Sequence, residues 1–261
     1  MLSKLLRKDL KKNMRWMWIL FVSTILVAGI TRGCKELGKN IAFFKIAGIF
    51  FDSVFYALAI NTILQPFLRN FLNFSKSFYS DESYLTHTLP VTKNELVNSK
   101  YLTSLIEILC GFACLIISIL IMFVSPTFFD TLKIFLSSLI SGNFSLVLVL
   151  TLFIVLIIIE FLMFLSIIFF SIVVAYKSKE HRVLKTFLIT IAMAFASITI
   201  LSIIMVIVLA INGISLSSSI LVLSNSAIVS ITISAIATYS AISTLFYFLT
   251  KREFLKGVNV D

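Results

Sequence analysis

Charge, glycine, cysteine and histidine are all scarce in this chain, and each scarcity removes a class of function. Charged residues make up 13% of the 261 positions, against roughly 25% in soluble domains. Hydrophobic residues make up 59%, and the mean hydropathy is +1.08. That excludes a soluble globular domain. The eight glycines form no run of the kind that lines a selectivity filter. Of the three cysteines, Cys110 and Cys114 share a helical face inside an apolar run, where they act as small apolar residues. No histidine or acid stands beside them at ligand spacing, which argues against a metal site. The two histidines, His87 and His181, fall in polar intervals away from any acid within an apolar run. No H-E-x-x-H, G-x-S-x-G or paired intramembrane aspartate motif occurs, so no residue is assigned a catalytic role.

Apolar runs of helix length dominate instead. Spans are expected at about 16–31, 46–68, 102–124, 145–175, 186–211 and 226–249, the last five reaching the ~20 residues that cross ~30 Å of hydrocarbon. The intervals between them are too short to build a separate soluble core. Residues 1–261 are therefore expected to form a single all-α membrane domain. Ahead of the first run, residues 1–15 mix six basic residues with Leu2, Leu5, Leu6 and Leu10, the pattern of an amphipathic helix lying on the membrane surface. The run from Trp16 to Ile30 has no small-x-small cleavage site and reads as a retained span. With the N-terminus inside, 17 of the 22 Lys and Arg residues fall on inner segments and 5 on outer ones. This bias puts both termini on the cytoplasmic side. The net charge of +10 is thus a flanking pattern that meets anionic headgroups, not a nucleic-acid surface.

Gly33, Gly38 and Lys39 spell G-x-x-x-x-G-K, yet Asn40 stands where a phosphate loop has the Ser or Thr that holds magnesium. The motif also follows a membrane helix, not a strand. It is a decoy, and nucleotide chemistry is left to another chain.

An ionised acid at mid-bilayer costs about 2.5–3.5 kcal/mol on insertion scales, so acids in spans call for reasons. Glu160, nearest the middle of its span, is expected to face the bundle interior. There it serves either a translocation path or an interhelical hydrogen bond. Glu107 lies within two turns of the inner end of span 3, with Arg69 as its expected partner, and Asp52 is expected to be screened by Lys45. Asn61 and Gln65 add polarity to span 2, and Pro66 a bend that neighbours must compensate. Asn61, Gln65, Glu107 and Glu160 are the translocation-path candidates. Span 6 is rich in small residues, among them Ala235, Ala237, Ser240, Ala241 and Thr244, which permit close packing within the chain or against a second copy.

The longest polar interval, residues 80–100, reads as a short helix, a proline break and a second helix start. Ser80 caps the first helix, and Asp81 and Glu82 sit at its positive end. Leu85 and Leu89 share a face, with Tyr84 and Thr88 beside them. Pro90 ends that helix, and Thr92 with Glu95 has capping-box spacing for the next. A compact amphipathic elbow between membrane helices suits a soluble partner.

These residues carry a family resemblance. Asp81-Glu82, Tyr84-Leu85-Thr86, Thr88-Leu89-Pro90-Val91-Thr92 and Ser99-Lys100 resemble the stretch between the second and third membrane helices of bacterial ABC-2-type transporter permeases. The resemblance implies a cytoplasmic coupling helix that docks on a separate ATPase subunit, with Asp81, Glu82, Tyr84, Leu85, Thr88, Leu89 and Pro90 as its coupling residues. It implies that ATP and magnesium sit on that partner and that this chain, not itself an enzyme, binds no cofactor. The chain would then be an exporter permease in the bacterial plasma membrane, among lipids and paired with a second permease copy, identical or not. By alternating access it would move a hydrophobic or amphipathic substrate such as a peptide, bacteriocin or drug. Lys177, Lys179, Glu180 and Arg182 add a smaller contact to the ATPase or serve as a topology signal. Two other readings stay open: an ion-coupled transporter using Glu160, and a non-transporting immunity or assembly factor.

Overall fold

The computed structural model describes residues 2–79, 91–123, 137, 144–178, 181–213 and 225–256. Among the described residues are six long helices and no strand: α1 Leu2–Leu37, α2 Ala42–Tyr79, α3 Lys93–Phe123, α4 Phe144–Ala175, α5 Arg182–Ile211 and α6 Asn225–Leu255. Each is long and apolar enough to cross a membrane, and the chain is a multi-pass membrane protein. The helices overrun the expected spans by up to about four turns, because intrahelical hydrogen bonds continue past the hydrocarbon wherever one face stays packed.

The clearest overrun corrects an expectation. The basic residues and the first apolar run form one unbroken helix, so no separate surface helix ends at residue 15. A buried stripe of Asn13, Met17, Phe21, Thr24, Ala28 and Thr31 recurs every three or four residues across that boundary. The Gly33–Lys39 stretch is the last turn of α1 and its exit, with Gly38 N donating to Cys34 O at 2.8 Å. A side chain at Gly38 would press on the backbone of Lys45 at 3.0 Å, so glycine permits the tight passage into α2.

The chain divides into two compact units, Met1–Phe74 with Leu89–Phe135, and Ser75–Thr88 with Leu136–Asp261. The body of α2 belongs to the first and its last turn to the second.

In the first unit α1 and α3 run parallel, since Asp9 meets Lys100, Asn13 meets Glu107 and Phe21 meets Cys114 in ascending order. α2 returns antiparallel, its Thr62 hydroxyl 3.0 Å from that of Thr24. Met17, Phe21 and Cys114 form one buried cluster, and Ala28, Phe55 and Met122 another. Pro66 deprives the Thr62 carbonyl of its helical donor, yet α2 continues as one helix. Gly111 of α3 faces that open carbonyl, and a methyl group there would stand 3.2 Å from Thr62 O. Its missing side chain lets α3 approach α2 where the ladder is interrupted.

The second unit repeats the plan with different chemistry. α4 and α6 run parallel, marked by the Ser166 and Ser243 hydroxyls at 3.2 Å, the Phe170 and Phe246 rings at 5.3 Å, and the Lys177–Glu253 ion pair. Met163, Ile167, Tyr239 and Phe246 form the core, against which Met193 and Leu201 of α5 pack. Most hydroxyls here, such as Thr238 and Thr250, bond the carbonyl one turn back, which hides their polarity within the helix.

Candidate functional site

In the first unit the buried polar groups gather where α1 and α3 begin and α2 ends. Glu107 of α3 has 0% exposure. Asn13 Nδ2 donates to its Oε1 at 2.6 Å, and Asn73 Nδ2 donates to Asn13 Oδ1 at 2.6 Å. One carboxyl and two amides in series thus join three helices. The Asn70 amide, the Arg69 guanidinium and the Asp9 carboxylate are the carboxyl's other electrostatic neighbours. Even so, Asn70 Nδ2 and Glu107 Oε2 do not meet hydrogen-bond geometry. Around this centre Lys100 pairs with Asp9 at 3.0 Å. Arg69 Nε donates to Gln65 Oε1 at 3.4 Å, and its guanidinium stands 5.8 Å from the Trp16 ring centroid.

Sequence order explains why these groups meet. Asn13 lies on the buried stripe of α1, one turn before Met17. Glu107 lies one turn before the Gly111 contact, on the face that α3 turns to α1. The parallel register of the two helices then brings amide to carboxyl. An interhelical hydrogen bond in a membrane protein contributes about 0.6 kcal/mol, up to ~1.7, but a polar group left unpaired in hydrocarbon costs several times more. The joint is therefore directional: Asn13 cannot follow one neighbour without leaving the other. Among the described residues no group of three His, Cys, Asp or Glu side chains could hold a metal.

The predicted path residues do not form one set. Glu107 is buried as the hinge of the network, but Asn13, not the expected Arg69, hydrogen-bonds it. Gln65 sits at the network's edge through Arg69. Asn61 is exposed, its amide donating to Ala57 O at 3.2 Å. Glu160 is exposed too, beside Tyr239, and the expectation that it faces the interior is corrected. The packed side of α4 runs through Ile159, Met163, Ile167 and Phe170, and its centre lies about 65° around the helix from Glu160. Asp52 pairs with Lys35 at 2.8 Å and not with Lys45.

The coupling residues Asp81, Glu82, Tyr84, Leu85, Thr88, Leu89 and Pro90 lie outside the described residues, as do Lys179 and Glu180. Their flanks do not. Thr92 N donates to Glu95 Oε2 at 3.1 Å and Glu95 N to Thr92 Oγ1 at 3.3 Å, the reciprocal capping box expected at the start of α3. The small residues of α6 split between two faces: Ala235 and Thr238 are buried, whereas Ser240, Ala241 and Thr244 line an open groove of about 650 Å³.

Sequence reasoning missed Asn13, Asn70 and Asn73. Asn13 was visible as the first member of the stripe that Met17 and Phe21 continue, but five charged neighbours between Arg7 and Lys12 masked it. Asn70 and Asn73 stand three apart on α2, a spacing that puts two amides on one face.

Compared with protein-family models, with curated proteins and with solved structures, the chain matches none.

Proposed function

We propose that the chain is the membrane-spanning subunit of an ATP-driven exporter of the ABC-2 type. The observation that carries this reading is where the polar segment 80–90 is attached. It leaves the last turn of α2 and enters the capped start of α3, and both helices are tied to α1 by Asn73, Asn13 and Glu107. A displacement of that segment would reach three helices through one hydrogen-bonded joint. In this reading Tyr84, Leu85 and Leu89 fill a groove on a separate ATPase subunit, which holds ATP and magnesium, while Asp81, Glu82, Thr88 and Pro90 shape the elbow. Both termini face the cytoplasm of a bacterial cell, and a second permease copy packs along the outward small residues of α6. The substrate is hydrophobic or amphipathic, a peptide, bacteriocin or drug, in keeping with helices whose exposed faces carry few charges. A transporter built on Glu160 has less to stand on, since that carboxyl lies outside the packed core of its unit.

Purification of the tagged chain in mild detergent, with mass spectrometry and an ATPase assay, tests the reading. An ATPase that copurifies with the wild type and is lost on Leu85→Asp/Leu89→Asp, with the protein still inserted, is the expected result. A chain that emerges alone from several mild detergents rejects it.

A further inference from the structure

Glu160 sits near the midpoint of the 32-residue helix α4, with more than about 20 Å of helix on either side. A glutamate side chain is too short to reach the headgroup region from there. The carboxyl is exposed, and neither a hydrogen bond nor an ion pair of Glu160 occurs among the described residues. Tyr239 of α6 is close enough to feel its charge. Phe153 and Phe164, 53% and 42% exposed, stand seven residues before it and four after. At 100° per residue both fall within about 40° of Glu160, so a single carboxyl stands in a strip of aromatic rings.

An ionised acid at that depth is costly unless a counter-charge meets it. The spans of this chain supply none. The apolar runs 16–31, 46–68, 102–124, 145–175, 186–211 and 226–249 contain no Lys, Arg or His. A second copy has the same spans and brings no cation either, so the match comes from another molecule. An inorganic cation needs several oxygen ligands, and no group of three His, Cys, Asp or Glu side chains that could hold one occurs among the described residues. A phospholipid carries its charged groups at the membrane surface, far from the midpoint. One positive charge on an apolar body fits a lone carboxylate among rings, since ring faces attract cations as well.

We propose that this face of α4 binds an amphipathic organic cation, its positive centre on Glu160 and its apolar body along Phe153 and Phe164. Glu160 here holds a charge and passes no proton. Binding needs no ATPase. Only the step from bound cation to exported cargo rests on the exporter reading, whose substrate it narrows to cationic amphipaths.

Equilibrium dialysis of the full chain in phosphatidylcholine nanodiscs against tetraphenylphosphonium, with empty discs subtracted, tests the site. Tetraphenylphosphonium is a permanent cation, and tetraphenylborate has the same shape with negative charge. The wild type should bind the cation saturably, and the anion no better than empty discs do. Glu160→Gln should weaken cation binding by about thirtyfold or more, whereas Glu160→Asp should keep most of it. Asp52→Asn, which removes an acid paired with Lys35, should leave binding unchanged. Equal cation binding by wild type and Glu160→Gln would overturn the site, as would equal binding of the anion. Should Glu160→Gln fail to fold, the wild type alone decides. Dicyclohexylcarbodiimide labelling of Glu160, mapped by mass spectrometry, should slow when tetraphenylphosphonium is present, and unslowed labelling would sink the proposal. A photo-crosslinker at Phe153 that joins two copies of the chain, with or without the cation, would assign this face to a second copy instead. None of these readouts depends on whether an ATPase copurifies, so the site and the exporter reading fail separately.

Discussion

The two units are built on the same plan and held by different forces. Each pairs its first and third helices in parallel, with the second running against them. Both units have a buried apolar cluster and an ion pair; what the first adds is a buried carboxyl and two amides in series, where the second has Met163, Ile167, Tyr239 and Phe246 with their aromatic neighbours. Lipid tails are as apolar as leucine, so helix pairs in a membrane gain little from apolarity itself and rely on fit and on polar bonds. An apolar interface yields by degrees as its fit worsens. A hydrogen-bonded joint is either made or broken. The first unit is therefore the better place for a two-position element, and the second the better place for a scaffold.

The comparison can be broken from either side. The largest effect is expected from Phe246→Ala, which empties the centre of the second unit and should cost about 3 kcal/mol, seen as a fall in the thermal midpoint of the detergent-solubilised chain. Next comes Glu107→Leu, which strands Asn13 and should cost about 2 kcal/mol. Adding Asn13→Leu should recover part of that loss, and a double-mutant cycle showing no coupling would remove the joint from the argument for the first unit. Gly111→Ala pushes a methyl group towards the Thr62 carbonyl and should cost about 1 kcal/mol. An unchanged midpoint there would mean that α2 and α3 part easily. Lys177→Gln, which opens an ion pair whose lysine is 41% exposed, should cost less than about 1 kcal/mol. A larger loss would show that the second unit also leans on charge.

How far the sequence speaks depends on the range of the force involved. Six spans are legible because the thickness of hydrocarbon sets the length of an apolar run. The capping box at Thr92 and Glu95 is legible because it closes within four residues. The inward face of α4 is not, since a helix apolar all round carries no stripe, and Glu160 was misplaced for that reason. Nor is the partner of Glu107, because the register between α1 and α3 is decided some 94 residues apart in the chain. Asn13 was hidden by its charged neighbours, although its place on the stripe of Met17 and Phe21 was there to be seen. Between Asp81 and Pro90 the amphipathic elbow is legible from local spacing, whereas its coupling role comes from the resemblance.

The continuity of α1 changes what its basic residues can do. At 1.5 Å per residue, Lys4 stands about 18 Å and Arg7 about 14 Å along the axis from Trp16. Trp16 and Trp18 are exposed, and tryptophan is enriched at the headgroup level. Electrostatic reach at physiological salt is only about 8 Å. On a helix standing upright, the first cations are screened from the lipid surface and belong to the aqueous side. They form a charged post that can be touched by whatever approaches from the water, and that cannot be drawn inward without carrying its charges into the hydrocarbon.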